Sequence, residues 1–156
     1  MNYIVREIKA NEYKLLEDFL YEAIFIPDGV HAPPRTIVKQ PELQIYLSDF
    51  GKKDDFGFVA EVDHKVVGAV WTRIMNDYGH VDDATPSLAI SLYKEYRGFG
   101  IGTQLMKNIL ILLKEKGYQR VSLAVQKMNY AYQMYVKVGF HIIDENEEEY
   151  IMACYL

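Results

Sequence analysis

Tyr3 to Ile8 is rich in β-branched residues, Ile4, Val5 and Ile8, and predicts a first strand. Behind it, Leu15, Leu16, Phe19, Leu20 and Ala23 recur at helical spacing, with Asn11 placed to cap that helix. The stretch IFIPDGVHAPPRTIVKQ carries three prolines and a glycine and predicts an irregular loop. Pro41 suits the first turn of a second helix, PELQIYLSDF, which Gly51 can end. Two strands, Phe56 to Val62 and Val66 to Met75, flank the turn Asp63, His64, Lys65 and form a hairpin. A polar segment, NDYGHVDDATP, leads into the strand SLAISLY and almost at once into a glycine cluster. Ile101, Leu105, Ile109, Leu112 and Leu113 then mark a helix from Ile101 to Lys116, closed by Gly117. VSLAVQ is a strand, NYAYQMYVKVG a helix, and FHIID and YIMACYL a last strand pair around ENEEE. The predicted order is β, α, α, β, β, β, α, β, α, β, β.

The full chain has 156 residues, 50% of them hydrophobic, enough for one core and short for two, so residues 1–156 are read as a single domain. A formal net charge of −5 leaves no basic surface to offset a phosphate backbone, which argues against nucleic acid as a partner. The first residues show no apolar signal region, and no apolar run approaches the roughly 20 residues of a membrane span, so a cytoplasmic protein is expected. Cys154 is the only cysteine, and His31, His64, His80 and His141 are scattered, so no metal is expected. Asp55, Phe56 and Gly57 spell a kinase motif by coincidence, because no catalytic loop or N-terminal glycine loop accompanies them. They start a strand.

The informative stretch is RGFGIG, residues 97 to 102, between a strand and a helix. Such a turn leaves backbone N–H groups pointing outward at the positive end of a helix dipole, which suits phosphate. Gly98, Gly100 and Gly102 remove the Cβ atoms that would hold an anion away, and Arg97 can add a charge-assisted bond. The spacing is GxGxG where a dinucleotide fold needs GxGxxG, and VSLAVQ ends without an acid for a ribose. A P-loop needs lysine and a hydroxyl directly after its last glycine, and Gly102 is followed by Thr103 and Gln104.

RGFGIG resembles the (Gln/Arg)xxGx(Gly/Ala) signature of the GNAT superfamily, the acyl-coenzyme A-dependent N-acyltransferases, through Arg97, Gly100 and Gly102. Downstream, NYAYQMYVKVGF resembles that family's NxAxxLYxxxGF pattern through Asn129, Ala131, Tyr135, Gly139 and Phe140, with Met134 in place of the usual leucine. The resemblance implies an α/β fold with a mixed, mostly antiparallel sheet of about seven strands, splayed in the middle and flanked by about four helices. It implies acetyl-coenzyme A as co-substrate. Backbone groups at Leu92 and Tyr93 would bond the pantetheine and thioester, and the amides from Phe99 through Gly100, Ile101 and Gly102 to Thr103 would hold the pyrophosphate, with Gly98 also in the cofactor site. Arg97 would supply the one side-chain charge there, and Asn129, Ala131 and Tyr135 would complete the cofactor site.

The implied reaction is attack of a neutral amine on a thioester. A backbone N–H near Leu92 would stabilise the oxyanion and Tyr135 would protonate the departing sulfur. A base for the amine is not identified by the sequence; His80, Asp82, Asp83 and Glu95 are the nearby candidates, beside a water relay. Phe25, Asp28 and His31 in the long loop, with Trp71 and Arg73 on the third strand, are candidates for the acceptor pocket. Trp71 fits the core equally well, and Arg73 could instead pair with Asp77. The partner implied is a small-molecule or peptide amine, and the exposed tyrosines permit a homodimer without requiring one. The competing functions are a non-catalytic acyl-coenzyme A-binding module and a structural α/β protein whose glycine turn binds nothing.

Overall fold

A computed structural model describes residues 1–156. Its seven strands are β1 (Ile4–Glu7), β2 (Phe56–Val62), β3 (Lys65–Arg73), β4 (Ser87–Leu92), β5 (Arg120–Gln126), β6 (His141–Glu145) and β7 (Glu149–Tyr155). Four α-helices, α1 (Leu16–Ala23), α2 (Pro41–Gln44), α3 (Ile101–Glu115) and α4 (Ala131–Lys137), join three short 3-10 helices at Ala10–Leu15, Arg35–Lys39 and Lys94–Tyr96. One sheet runs β1-β2-β3-β4-β5-β7-β6. Every neighbour pair is antiparallel except β4 and β5, which are parallel and share a single registered pair, Ser87 with Ser122. The expected mixed, mostly antiparallel architecture is what the chain adopts.

The two faces of the sheet bury different clusters because strand residues alternate. Leu88 and Leu92 of β4 and Val121, Leu123 and Val125 of β5 point to the side covered by α3. That helix buries Ile101, Leu105, Met106, Ile109 and Leu113, one stripe at helical spacing, and each fully buried aliphatic contributes about 1.5–3 kcal/mol. On the other face, Val59, Ala69 and Trp71 meet Leu16, Phe19 and Leu20 of α1. Asp63 and His64 form the β2–β3 turn with φ of 50° and 66°, and Lys65 already belongs to β3, opposite Val62.

Two local expectations are corrected. Asn11 does not cap the first helical segment. A 3-10 turn starts earlier, and Glu12 accepts the Lys9 N–H at 2.9 Å. The second helix stops after one turn, at Gln44. The carbonyls that would extend it are used by the sheet instead: Ile45 and Ser48 accept from Arg73 Nη1 at 3.0 and 2.9 Å, and Tyr46 accepts from Trp71 Nε1 at 3.1 Å. No helix is long and apolar enough to cross a membrane.

Candidate active site

The turn before α3 has the form that anion binding requires. Gly98 and Gly100 sit at φ of 84° and 83°, a conformation costly for any residue with a side chain. Nothing in the protein lies within 4 Å of where a Cβ would stand at either position, so both open to solvent. Gly100 is the N-cap of α3 and makes no side-chain cap. No amide from Gly98 through Phe99, Gly100, Ile101 and Gly102 to Thr103 donates to a protein acceptor; the first bonded amide is Gln104, to the Gly100 carbonyl at 3.1 Å. These free donors at a helix N-terminus fit the diphosphate of coenzyme A.

Beside the turn, β4 and β5 part. Tyr93 N–H bonds the Val67 carbonyl at 3.0 Å, which fixes the alternation along β4. With Leu92 opposite Gly68 and Ile90 opposite Val70, the backbone groups of Ile90 and Leu92 face away from β3, toward β5. Since β5 pairs with β4 only at Ser122, these groups line an open gap that widens toward α3. Leu92 therefore turns its N–H to this gap, while its carbonyl accepts from Arg97 Nε at 3.0 Å. Tyr93 is not available: its N–H is taken by Val67 and its carbonyl by Tyr96 N–H at 3.0 Å. Its ring packs on Phe19, with centroids 5.0 Å apart.

Arg97 also departs from expectation. Its Nε donates to the Leu92 carbonyl at 3.0 Å, and its Nη2 lies 3.4 Å from the Glu22 carbonyl and 3.6 Å from the Glu22 carboxylate. The guanidinium ties the end of β4 to the end of α1.

Tyr135 on α4 is 8% exposed. Burial pushes its phenol up to about 12, and no protein group bonds it, so it stays protonated with its donor uncommitted. Asn129 Oδ1 accepts the Ala131 N–H at 2.9 Å, starting α4 and occupying the Ala131 amide. Met134, the residue that departs from the usual leucine, would stand 3.6 Å from a Cβ on Gly102, and Leu92 3.7 Å, ordinary van der Waals distances, so α3, α4 and β4 meet at this glycine with room for a methyl group.

The acceptor side required more correction. Trp71 is 0% exposed, wholly within the α1 cluster. Arg73 is also buried, its Nε and Nη2 on Asp55 at 3.2 and 3.0 Å, so its partner is Asp55 and not Asp77. Both residues hold the fold and neither lines an opening. Phe25 is half-buried, while Asp28 and His31 are exposed on the loop that leaves α1 beside Glu22. Of the candidate bases, Asp82 is held by Arg120 at 2.7 Å, and that bond keeps it low, at about 2. His80 faces the Met75 carbonyl at 2.9 Å, Asp83 projects into solvent, and Glu95 is exposed. A cavity of about 670 Å³ lies near Asp82, Tyr118 and Arg120, away from the glycine turn, and its Tyr118–Asp54 and Arg120–Asp82 groups are already paired. No His, Cys, Asp or Glu cluster has the form of a metal site.

One group was missed. Asp77 lies on the β3–β4 loop over the α1-facing side of the sheet, accepting Tyr46 Oη–H at 2.8 Å and Ser87 Oγ–H at 2.8 Å. The sequence placed Asp77 only as a partner for Arg73, and no spacing rule connects it to Tyr46.

Residues 19–140 match the acetyltransferase (GNAT) family. The chain belongs to that family. A [Ribosomal protein bS18]-alanine N-acetyltransferase of Haemophilus influenzae is 34% identical over 87 residues, 49% of this chain and 59% of that protein. An N-alpha-acetyltransferase of Sulfurisphaera tokodaii is 33% identical over 112 residues, 62% of this chain and 66% of its own length. The match therefore spans only part of these relatives. Among solved structures, a PaiA N-acetyltransferase of Thermoplasma acidophilum in complex with coenzyme A aligns over 100% of both chains with a TM-score of 0.69 and 19% identity. The Escherichia coli ribosomal-protein-S18-alanine N-acetyltransferase aligns over 99% of this chain and 94% of its own, with a TM-score of 0.67 and 16% identity. At these identities the likeness of this GNAT protein to the solved structures is one of fold.

Proposed function

We propose that this GNAT protein transfers an acetyl group from acetyl-coenzyme A to a primary amine of a small molecule or peptide, by direct attack with both substrates bound. The reading is carried by one observation: six consecutive backbone positions, Gly98 to Thr103, keep their amides free at the mouth of a gap lined by Ile90 and Leu92. Relatives named as alanine and N-alpha acetyltransferases support an amine acceptor.

When bound, acetyl-coenzyme A supplies an activated thioester. The amides before and within the first turn of α3 would hold its diphosphate, and the gap beside Ile90 and Leu92 would take the arm. Leu92 N–H and Ile90 N–H, both facing the gap, would donate to the arm and, at Ile90, the nearer of the two to Ser87, to the thioester oxygen, an interaction that would strengthen as charge develops there. Tyr135, protonated at any working pH and without a protein partner, gives its proton to the leaving sulfur. That uncommitted phenol favours an enzyme over a binding module.

The test has two parts. Coenzyme A should raise thermal stability, by about 2.7 kcal/mol at a hundredfold excess over Kd. Thiol release over an amine panel should then rise above background. No thermal shift would remove both the enzyme and the binding module, and a shift without release for any amine would leave only the module.

A further inference from the structure

The gap between β4 and β5 has a closed end at Ser87 and Ser122, the one pair the strands share. A chain segment crosses this end on the α1-facing side. Ser122 Oγ–H donates to the Gly79 carbonyl at 2.6 Å, and a Cβ on Gly79 would stand 3.0 Å from the Ala124 nitrogen, so Gly79 lies directly on β5. Two residues earlier, Asp77 is fixed from both sides, by Ser87 of β4 and by Tyr46 from the turn after α2.

Asp77 has no cation within ion-pair distance, and each carboxylate oxygen receives one neutral hydroxyl. The basic residue nearest in sequence, Arg73, is consumed by Asp55. The other ionisable groups around Asp77 are Tyr46, Glu149 of β7, and Tyr78 and His80 of its own loop. Burial and the nearby Asp77 hold Tyr46 protonated, and burial with Glu148 and Asp77 raises Glu149. A half-buried carboxylate held by two neutral hydroxyls, beside a second carboxylate and without a counter-ion, favours a cation from outside.

We propose that Asp77 is the acceptor-side catalytic residue: it holds the incoming ammonium at the closed end of the gap and takes its proton, directly or through one water. The assignment rests on the acetyltransferase reading above. Ammonium and thioester become amide, thiol and one released proton. The first proton passes from nitrogen to Asp77 and on to solvent; the nitrogen lone pair forms the C–N bond. The C–S bond breaks with its electron pair on sulfur, which takes the Tyr135 proton, and the second nitrogen proton restores Tyr135.

A carboxylate is a weak base, and this favours the acceptor whose ammonium gives up its proton more easily. An α-amino group, with a pKa near 8, offers roughly 250-fold more neutral amine at pH 7 than an alkylamine near 10.4. The preferred acceptor is therefore a peptide α-amine.

Two probes test this: a lysine-free peptide with N-terminal alanine, and an N-terminally blocked peptide with one lysine. The wild type should acetylate the first at least tenfold faster. Asp77→Asn should lower kcat/KM for it by about 100-fold or more while keeping the coenzyme A thermal shift. Ser87→Ala and Tyr46→Phe, which remove one anchor each and leave the charge, should stay within about tenfold. Asp77→Ala should regain transfer when formate is added, which a purely structural aspartate would not show. Asp77→Asn at wild-type rate, equal losses from Ser87→Ala and Asp77→Asn, or no formate rescue overturns the assignment alone. No transfer to either probe overturns it together with the acetyltransferase reading. A rate for the lysine probe equal to that for the alanine probe overturns the α-amine preference.

Discussion

The two sides of the β4–β5 gap are built on different principles. On the α3 side, the site is main chain from which side chains have been withheld, at Gly98 and Gly100. On the α1 side, it is a set of side chains, Tyr46, Asp77 and Ser87, brought together from a turn, a loop and a strand. The first kind of site writes itself as a local motif. The second has no local signature, because a polar residue there acquires its role from a partner many positions away.

The largest effect that separates the two sides is on stability. Arg73→Ala should cost about 3–5 kcal/mol, since it leaves Asp55 charged and buried, its side chain 4% exposed. Chemical denaturation would measure this, and the KM for coenzyme A in the folded fraction should not change. A large change in acceptor KM with stability intact would return Arg73 to the acceptor site.

Next comes the turn itself. Gly100→Val puts a β-branched side chain at φ +83°, projecting where the diphosphate is proposed to lie, and should weaken coenzyme A binding by about 100-fold, or ~2.7 kcal/mol. Calorimetry should show the loss with far-UV dichroism unaltered. Binding that survives would move the diphosphate elsewhere.

Tyr135→Phe should lower kcat on the order of 10- to 100-fold with coenzyme A affinity unchanged. Because burial raises the phenol to about 12, no limb of the pH–rate profile between pH 6 and 9 belongs to it. The same shift has a stability consequence. Unfolded tyrosine ionises near 10 and the folded one near 12, so its contribution is complete below pH 10 and is lost as pH rises through 12.

The smallest effect should come from Arg97→Met. With its guanidinium on the Leu92 carbonyl and Glu22, this substitution should reduce coenzyme A affinity by less than about tenfold, far less than Gly100→Val. A loss as large as that of Gly100→Val would place Arg97 on the diphosphate after all.

Much of this was legible in the chain. The α3 stripe, the β2–β3 hairpin and the glycine turn follow from periodicity and backbone conformation, which are local. The length of α2 was not legible, because Arg73 and Trp71 take the carbonyls it needed. Trp71 stood open between pocket and core, and Arg73 between an acceptor and Asp77, because a lone tryptophan and an arginine on a strand read alike whether they face a cleft or a core. Asp77 was lost among neighbouring acids, and only the path of the β3–β4 loop distinguishes it from Asp82.

The single shared pair between β4 and β5 has a mechanical meaning as well. Strands β1 to β4 and strands β5, β7 and β6 are two antiparallel panels, each with its own ladder, and one rung joins them. A thioester arm in the proposed position would add rungs that the polypeptide itself omits. Amide exchange at Ile90, Leu92 and Ala124, whose N–H groups face the gap, should slow when coenzyme A is present, while the ladders inside each panel exchange as before.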